Sequence, residues 1–451
     1  MQSFRTEIEN PVVEQDIIEL EKKIRLFQEG KVDEERFRSL RLARGVYGQR
    51  QPGVQMIRIK IPYGKLTANK LRRIAEVADT YSTGKLHITT RQDIQIHYVK
   101  LEDSPQLWAE LEKDKVTLRE ACGNTVRNVT ASELAGIDPD EPFDVSPHAD
   151  AFFRYFLRNP VCQEMGRKFK VSFSSSDKDS AFSFMHDLGF IPKIKEGKRG
   201  FKVMIGGGLG AQPIHAKVAS EFMPEEEIIP FAESILRIFD RYGERAKRFK
   251  ARFKFLLNKI GLEELFRLVE AEKNALPYQN FPIVFEKYFQ PKLPLNGFKK
   301  GGEIEDQETY NSWLNSNVFE QKQPGYFGVK VKVHLGDFST DDARELANIV
   351  EELAGDDIRL SINQGIVLRY VKKEALPYLY TRLKTLNFAD AGYDSAADIT
   401  ACPGTDTCNL GISSSTGVSI VLESLIKEKY ASLIYNTDLK IKISGCMNAC
   451  G

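Results

Sequence analysis

An internal repeat constrains the fold of this chain more than any other feature of its sequence. A shift of 272 residues places segment 57–100 on segment 329–372 without a gap. Both copies read as a strand, a glycine, a hydroxyl residue that can cap a helix, a helix and a strand. The same shift places Lys168–Ser172 on Lys440–Ser444. One constant offset for both pairs of segments indicates a duplication, so the sequence predicts an α+β protein of two homologous halves.

Composition and charge exclude several classes of protein. The chain has 451 residues, of which 42% are hydrophobic and 28% charged, as is usual for globular domains. The formal net charge is only +1, which gives no general attraction to nucleic acid or to an anionic membrane. No apolar run approaches the roughly 18 residues of a membrane span, and the N-terminal residues lack the apolar region of a signal peptide. We therefore expect a cytoplasmic protein without nucleic-acid or membrane partners.

Periodicity and turn residues predict the local structure. The predicted elements are helices over 1–45, 178–188 and 225–273, a helix capped by Thr67 in the first copy and by Ser339 in the second, strands over 55–61, 169–173 and 201–205, and a strand-rich stretch over 86–99 with a turn at 91–93. The basic stretch 241–254 is expected to be the solvated face of an amphipathic helix rather than a surface for RNA. The glycines at 206–210 follow a predicted strand but lack the spacing of a dinucleotide-binding loop.

The second copy of the repeat is shorter than the first. The first copy continues for about a hundred residues beyond Lys170, whereas the sequence stops nine residues after Lys442. This comparison leads us to expect a truncated chain that is unstable or poorly active, because an unfinished lobe would expose apolar surface and strand edges.

Four of the six cysteines are clustered at the C-terminal end, as Cys402-x5-Cys408 and, 37 residues later, Cys446-x3-Cys450. Six cysteines are too few for a disulfide scaffold, but four thiolates can bind a zinc ion or a [4Fe–4S] cluster. The x5 and x3 spacings suit structural zinc poorly, and every histidine lies upstream. The spacing therefore favours an iron–sulfur cluster, with zinc or buried free thiols as alternatives.

Short motifs accompany these cysteines along the chain. They are Tyr47-Gly-Gln-Arg-Gln51, Thr89-Thr-Arg-Gln92, Val126-Arg-Asn-Val129, Arg167-Lys-Phe-Lys170, and the cysteine segments TACPGTDTC and SGCMNACG. With these motifs and its internal duplication, the chain resembles the sirohaem- and [4Fe–4S]-dependent nitrite and sulfite reductases. The resemblance implies an α+β, internally duplicated fold with two ferredoxin-like wings plus lobes that bind the sirohaem and the iron–sulfur cluster.

The resemblance and the repeat together suggest a division into six segments. They are an N-terminal helical segment (1–54), a first ferredoxin-like half-domain (55–115), a first sirohaem-binding lobe (116–273), a linker (274–326), a second ferredoxin-like half-domain (327–390), and an incomplete second lobe for the cluster and the sirohaem (391–451).

The resemblance also implies the site residues. The implied ligands of the [4Fe–4S] cluster are Cys402, Cys408, Cys446 and Cys450, of which Cys450 also ligates the sirohaem iron. The implied substrate-facing residues are Arg91, Arg127, Lys168 and Lys170; these four, with Gly207 and Gly208, are also implied contacts of the sirohaem. Cations at such a site would offset the charge of an oxyanion, orient it and deliver protons. Because the second copy keeps lysines at the positions of Lys168 and Lys170, some of these charges could instead serve the fold.

The expected reaction is the six-electron reduction of sulfite to sulfide, with nitrite to ammonia as the alternative. In the family, Lys at position 170 accompanies sulfite reductases and Asn commonly replaces it in nitrite reductases, which favours sulfite. No flavin or nicotinamide domain is visible, so the electrons are expected from outside, from ferredoxin or a separate flavoprotein. The non-enzymatic alternatives are a truncated cluster-binding electron carrier and a zinc-binding module.

Overall fold

The computed structural model describes residues 10–285, 291–295 and 297–451. The chain forms two compact units, one made of Met1–Leu118 with Pro291–Gly451 and the other of Arg119–Gln290. Within the described ranges, no helix has the length and apolar character needed to cross a membrane. The part of the predicted N-terminal helix that precedes residue 10 lies outside the described residues.

The first half of the first unit begins with two helices and continues into the first copy of the repeat. Its elements are α1 (Pro11–Gln28), α2 (Glu34–Leu42), β1 (Val46–Gly48), β2 (Val54–Ile59), β3 (Lys65–Leu66), α3 (Ala68–Tyr81), β4 (Lys85–Ile88), β5 (Ile94–Lys100) and α4 (Ser104–Glu112). Helix α3 begins where the Thr67 hydroxyl accepts a hydrogen bond from the backbone N–H of Lys70. This cap confirms the prediction made from the sequence.

The second unit has a mixed five-stranded sheet with helices packed on it. Its elements are β6 (Thr130–Ala131), α5 (Ser146–Phe156), β7 (Val171–Phe173), β8 (Leu188–Lys195), β9 (Lys198–Ile205), β10 (Lys217–Pro224), α6 (Ile228–Tyr242) and α7 (Phe253–Ala275). The strand order is β10-β9-β8-β7-β6; the pairs β6–β7 and β7–β8 are parallel, and the others are antiparallel. Phe173 and Phe190 stack at 4.6 Å in its core, with Phe152 and Phe201 against them.

The second half of the first unit carries the second copy and the cysteine segments. Its elements are α8 (Gln307–Asn317), β11 (Val318–Glu320), β12 (Phe327–Val331), β13 (Asp337–Ser339), α9 (Thr340–Leu353), β14 (Ile358–Leu360), β15 (Ile366–Val371), α10 (Leu376–Thr385), β16 (Thr400–Ala401), α11 (Ser415–Lys429), α12 (Ser432–Asn436) and β17 (Lys442–Ile443). Ser339 caps α9 in a capping box with Asp342, as expected for the counterpart of Thr67.

The two copies complete each other's sheets. One antiparallel sheet has the order β1-β2-β5-β4-β13 and the other β11-β12-β15-β14-β3. The short strand β13 of the second copy thus closes the sheet of the first, and β3 of the first closes the sheet of the second. Helices α3 and α9 bury their apolar faces in one shared hydrophobic core, so the two half-domains form one folded body.

Reciprocal polar contacts confirm the duplication at the level of single residues. Arg72 pairs with Glu351 at 2.6 Å, and Arg344, which lies 272 residues after Arg72, pairs with Asp79, the counterpart of Glu351. Such pairs on a surface contribute little energy each, but they can only recur in this way if the two copies are related by an approximate twofold axis.

The turns near this axis show the same reciprocity. Gln92 Nε2 donates to the carbonyl of Leu360 (2.8 Å), and its counterpart Gln364 donates to the carbonyl of Ile88 (3.1 Å). A Cβ atom added to Gly64 would lie 2.5 Å from the carbonyl oxygen of Leu360. The same addition at the counterpart glycine, Gly336, would lie 2.5 Å from the carbonyl oxygen of Ile88, and both glycines have positive φ. Glycine is therefore required at both positions.

Several expectations about local structure differ from the structure. Segment 178–188, predicted as a helix, has a 3-10 turn at Ser183–Met185 and ends on Leu188, the first residue of β8, so that prediction is wrong. The Asp179 carboxylate accepts from the N–H of Ser183, and the Ser174 hydroxyl accepts from the N–H of Ala181; such side-chain acceptors compete with the helical pattern. The stretch 225–273, predicted as helical, forms two separate helices, α6 and α7. The interval 274–326, predicted as a linker, contains α8 and β11.

Candidate functional site

The β16–β17 pair brings two of the four cysteines close together. These parallel strands align Ala401 with Ile443, and the backbone N–H of Cys402 donates to the carbonyl of Ile443 at 3.2 Å. Cys402 follows β16 directly, while Cys446 stands three residues beyond β17. Because parallel strands end at the same edge of a sheet, the strand pair places the two cysteine segments side by side.

Hydrogen-bond donors are directed at two of the sulfur atoms. The backbone N–H of Gly445 donates to Cys402 Sγ (3.2 Å) and Asn448 Nδ2 donates to Cys446 Sγ (3.4 Å). N–H donors to thiolate sulfur stabilise its negative charge and raise the reduction potential of an attached cluster. The described cysteines are all free thiols, so the four C-terminal sulfurs are available as ligands.

Cys408 faces two of the other thiols. Burial raises the pKa of the Cys408 thiol, and the charges of Cys450 and Cys446 raise this pKa further, whereas the backbone N–H groups of Leu410 and Gly411 lower it. These effects favour the neutral, protonated thiol in the absence of a bound metal group. Binding of such a group would release the protons of these thiols.

The chemistry of the donor set fits an iron–sulfur cluster. Among the residues that the structure describes, no three His, Cys, Asp or Glu side chains are arranged to hold one metal ion. A zinc ion needs four sulfurs within about 2.3 Å of one point. Four free thiols with N–H donors on two of them are the kind of ligand set that a [4Fe–4S] cluster requires.

Arg91 lies in the turn between β4 and β5, next to a residue that contacts the cysteine segment. The Thr90 hydroxyl donates to the carbonyl of Cys450 at 2.8 Å. The turn is fixed by the Thr89 hydroxyl, which accepts from the backbone N–H groups of Arg91 (3.1 Å) and Asp93 (3.2 Å). The first unit thus places the predicted Arg91 one residue away from a direct contact with the predicted bridging cysteine.

In the second unit, the backbone segments that carry the other three predicted cations lie side by side. Arg127 donates its backbone N–H to the carbonyl of Phe169 (2.9 Å), in a short parallel bridge between Val126 and Phe169. Lys168 and Lys170 flank Phe169 in the chain and are half-buried, as is Arg127. The Arg127 guanidinium donates to the carbonyl of Gly123 (Nε, 2.8 Å), which orients this side chain.

One acidic residue that the sequence motifs do not include organises this part of the unit. Asp187 is fully buried, and its Oδ2 accepts from the backbone N–H of Lys170 (2.9 Å) and from Arg252 Nη2 (2.8 Å). The sequence predicts a helix before β8, and the available signal for Asp187 is an acidic residue directly before the apolar run 188–191. Asp187 therefore fixes the backbone on which Lys170 stands.

The predicted glycines have a packing role in this unit. A Cβ atom on Gly207 would lie 2.5 Å from the carbonyl oxygen of Phe184, and one on Gly208 would lie 3.1 Å from Arg252 Nη2. Lys254 Nζ donates to the carbonyl of Gly208 (3.1 Å) and is buried. The prediction that the basic stretch 241–254 forms one solvated helix is therefore wrong. The stretch leaves α6 after Tyr242, and its last residues enter the core at the start of α7.

The second copy of the lysine pair is engaged within the fold. Lys440 forms an ion pair with Asp394, and Lys442 Nζ donates to Asn363 Oδ1 (2.8 Å) and to the Thr400 hydroxyl (3.2 Å). Asn363, the counterpart of Arg91 in the repeat, also donates to Asp394 (2.9 Å). These two lysines therefore neutralise and anchor the segment that leads to Cys402, which is a structural role.

A buried carboxyl beside Arg91 provides a prediction on pH. Burial raises the pKa of Asp93 to about 6, although the charges of Arg58, Arg91 and Lys60 and the N–H of Ile61 act in the opposite direction. A carboxyl whose pKa is higher in the folded than in the unfolded state favours folding most at low pH, and this contribution is lost as the pH rises from about 4 to about 6. Asp93→Asn is expected to be more stable than the wild type by about 2–3 kcal/mol at pH 8 and nearly equal to it at pH 4.

Chemical denaturation at both pH values measures this difference. The exposed Asp341, whose side chain is 94% accessible, provides the matched control, because Asp341→Asn should change stability little at either pH. A gap between Asp93→Asn and the wild type that does not depend on pH would contradict the explanation.

Comparison with known proteins shows the family. The sequence model of the nitrite and sulphite reductase 4Fe-4S domain matches residues 122–275, and that of the nitrite/sulfite reductase ferredoxin-like half domain matches twice, at 47–114 and 319–386. The two half-domain matches coincide with the two copies of the repeat. The match to the 4Fe-4S domain lies in the second unit. The four clustered cysteines lie outside all of the matched ranges.

Individual relatives agree with this assignment. The assimilatory ferredoxin-dependent nitrite reductase of Haloferax mediterranei is 29% identical over 433 residues, which cover 90% of this chain and 70% of that protein. The sulfite reductase (ferredoxin) 1 of Mycolicibacterium paratuberculosis is 25% identical, over 88% of this chain and 67% of that protein. The chain covers between 64% and 74% of the length of relatives of this kind.

A solved structure has the same fold. The Mycobacterium tuberculosis NirA protein superposes with a TM-score of 0.78 at 22% identity, over 96% of this chain and 81% of that one. The α+β architecture with two ferredoxin-like half-domains is thereby confirmed. Since two models of one family together match more than half of the sequence, the chain belongs to the sirohaem- and [4Fe–4S]-dependent nitrite and sulfite reductases.

Proposed function

We propose that this protein reduces sulfite to sulfide with six electrons, and that it also reduces nitrite to ammonia. The observation that carries the proposal is the contact between Thr90 and Cys450, which links the Arg91 turn to the cysteine segments at 2.8 Å. The segment proposed to hold the electron-transfer centre and the turn that carries Arg91 are thus in contact within one unit. An electron carrier or a zinc-binding module would not require Arg91 there.

The proposed ligands of the [4Fe–4S] cluster are Cys402, Cys408, Cys446 and Cys450. Cys450 is also the proposed ligand of the sirohaem iron, so that one thiolate belongs to both centres. When bound, the sirohaem would supply the binding site for the anion, and the cluster would supply the electrons one at a time. The contribution of the chain is to hold the four sulfurs, and Gly445 and Asn448 donate hydrogen bonds to two of them, Cys402 and Cys446.

The proposed substrate-facing residues are Arg91, Arg127, Lys168 and Lys170. The positive charges of these arginine and lysine side chains would attract an oxyanion and orient its oxygen atoms. The side chains would also donate protons to the oxygen atoms that leave during the reduction. We also propose contacts of these four residues, and of the backbone at Gly207 and Gly208, with the sirohaem carboxylates. The buried Asp187 supports Lys170 through its backbone N–H, which keeps the lysine on a rigid base.

The electron donor is proposed to be ferredoxin. The Haloferax and Mycolicibacterium relatives are both named as ferredoxin-dependent enzymes. We further propose that the six segments given above are the working domains of the chain, and that the protein is cytoplasmic, because clustered free thiols are typical of reducing compartments.

The function is tested with protein loaded with sirohaem and the cluster and supplied with a chemical reductant. We expect sulfide from sulfite and ammonia from nitrite, with a higher kcat/KM for sulfite. Nitrite is the alternative main substrate, because several relatives, including the Haloferax enzyme, are named as nitrite reductases. Loaded protein that reduces neither anion would refute the proposal.

Lys170 is expected to determine the preference between the two anions. Sulfite is a dianion with three oxygens and nitrite a monoanion with two, so a further cation and proton donor assists sulfite more. Lys170→Asn should lower kcat/KM for sulfite about tenfold more than for nitrite, which corresponds to ~1.4 kcal/mol of differential transition-state stabilisation. The exposed Lys178, paired with Asp140, gives the control Lys178→Asn, which should change neither value. Equal losses for both anions in Lys170→Asn would remove the basis for preferring sulfite.

A further inference from the structure

A loop from the N-terminal half of the first unit holds the segment that carries Cys408. Gln51 Nε2 donates to the carbonyl of Asp406 (2.7 Å), and Asn409 Nδ2 donates in return to the carbonyl of Gly48 (2.8 Å). We call residues 48–51 the clasp loop. It contains most of the motif Tyr47-Gly-Gln-Arg-Gln51, which has no part in the proposed function.

Arg50 makes the central contacts of the clasp loop. Its backbone N–H donates to the carbonyl of Thr407 (2.8 Å), its Nε donates to the carbonyl of Cys408 (3.4 Å), and its Nη2 donates to the carbonyl of Gly411. The two guanidinium contacts lie on either side of the turn that follows Cys408. A planar guanidinium with several fixed donors is well suited to hold two carbonyl groups at once.

The segment that Arg50 holds is itself compact. The backbone N–H of Cys408 donates to the carbonyl of Gly404 (3.1 Å), and the N–H of Gly411 donates to the carbonyl of Cys408 (3.1 Å). A Cβ atom on Gly411 would lie 2.4 Å from the carbonyl oxygen of Gly404. The inner hydrogen bonds thus shape the turn, and Arg50 fixes its position relative to the β1–β2 sheet.

We propose that Arg50 is a positioning residue for the iron–sulfur cluster, which holds the Cys408 segment in its ligating conformation and raises the reduction potential of the cluster through its charge. The inference rests on the proposed function, because it takes Cys408 as a cluster ligand. A guanidinium remains protonated at all relevant pH values. A fixed positive charge beside the cluster stabilises the reduced, more negative state, and nearby charge is one of the factors that set cluster potentials.

Two substitutions separate the charge from the hydrogen bonds. Arg50→Gln removes the charge and the fork, whereas Arg50→Lys keeps the charge and loses the two-carbonyl contact. The control is Arg38→Gln, since Arg38 is half exposed on α2 and pairs only weakly with Glu35 at 3.9 Å. Thermal unfolding of the three variants establishes that the fold is unchanged.

The first measurement is the reduction potential of the cluster, followed by electron paramagnetic resonance in a redox titration. In Arg50→Gln, the ratio of reduced to oxidised cluster at a fixed applied potential should fall about tenfold, equivalent to a shift of ~59 mV to lower potential. Arg50→Lys and Arg38→Gln should stay near the wild type. A wild-type potential in Arg50→Gln would overturn the electrostatic part of the proposal.

The second measurement is the alkylation rate of Cys408 in cluster-free protein, quantified by mass spectrometry, with Cys402 as the internal reference. Cys402 is held by Gly445 and Ser415 rather than by the clasp loop. Both Arg50 variants should accelerate the reaction of Cys408 about tenfold, because the loss of the guanidinium hydrogen bonds lets the Cys408 segment open more often, and leave Cys402 unchanged. Unchanged Cys408 rates would overturn the positioning part.

The two measurements also distinguish this inference from the proposed function. If the wild type never acquires a cluster signal, the proposed function fails and the inference about the cluster fails with it. If the wild type loads normally and the Arg50 variants match Arg38→Gln in both measurements, only the role of Arg50 is refuted.

Discussion

Replacing Cys450 with serine is expected to remove or shift the spectral signatures of the cluster and of the sirohaem together. One thiolate is proposed to belong to both centres, so its loss should disturb both, whereas loss of a ligand to one centre would leave the other intact. The activity with sulfite should fall by at least about 100-fold, because even groups that only support metal ligands are worth 10–100-fold. Visible absorption and electron paramagnetic resonance of the loaded variant measure the two signatures.

A buried cysteine outside the cluster provides the control for this experiment. Cys162 is fully buried in the second unit, and Cys162→Ala should keep both signatures. Thr90→Val removes the hydroxyl that donates to the Cys450 carbonyl and leaves the thiol in place, so it should shift the signatures less than Cys450→Ser. An unaltered haem spectrum in Cys450→Ser would show that Cys450 does not bridge the two centres.

The sequence predicted the duplicated architecture because the repeat is a property of backbone spacing. A constant offset keeps glycines, caps and strands in register, and the reciprocal contacts of Gln92 and Gln364 follow from it. The exchange of β3 and β13 between the two sheets was not predictable, since two- and three-residue strands carry no periodicity of their own.

Side-chain roles within the repeat were less predictable than its backbone. Lys440 and Lys442 align with Lys168 and Lys170, yet the structure pairs Lys440 with Asp394 and ties Lys442 to Asn363. Neither partner occurs at the equivalent position of the first copy, where Cys122 and Arg91 stand. A lysine therefore takes its role from the neighbours that the fold supplies, which a pairwise alignment of the two copies does not show.

The second copy also contains a buried ion cluster that the first copy lacks. The Asp357 carboxylate accepts from Arg359 Nε (2.7 Å) and Arg369 Nη1 (2.8 Å), and all three side chains are almost inaccessible to water. Burial alone would raise the pKa of Asp357, but the charges of Arg359 and Arg369 outweigh it and hold this pKa far below its usual range. The corresponding positions in the first copy are Lys85, His87 and His97.

Replacing Asp357 with alanine is expected to lower the free energy of unfolding by about 3–5 kcal/mol at pH 7, because it leaves two buried guanidinium groups without the carboxylate that neutralises them. A carboxyl with a lowered pKa contributes stability above its unfolded pKa of about 4 and loses it as the pH falls further, so the difference from the wild type should shrink in acid. Urea denaturation at pH 7 and pH 3 measures both effects.

The control is Asp341→Ala, which removes an exposed carboxylate 3.1 Å from Arg344. This change should lower the free energy of unfolding by less than about 1 kcal/mol. A loss in Asp357→Ala no larger than in this control would mean that the two arginines are neutralised by other groups.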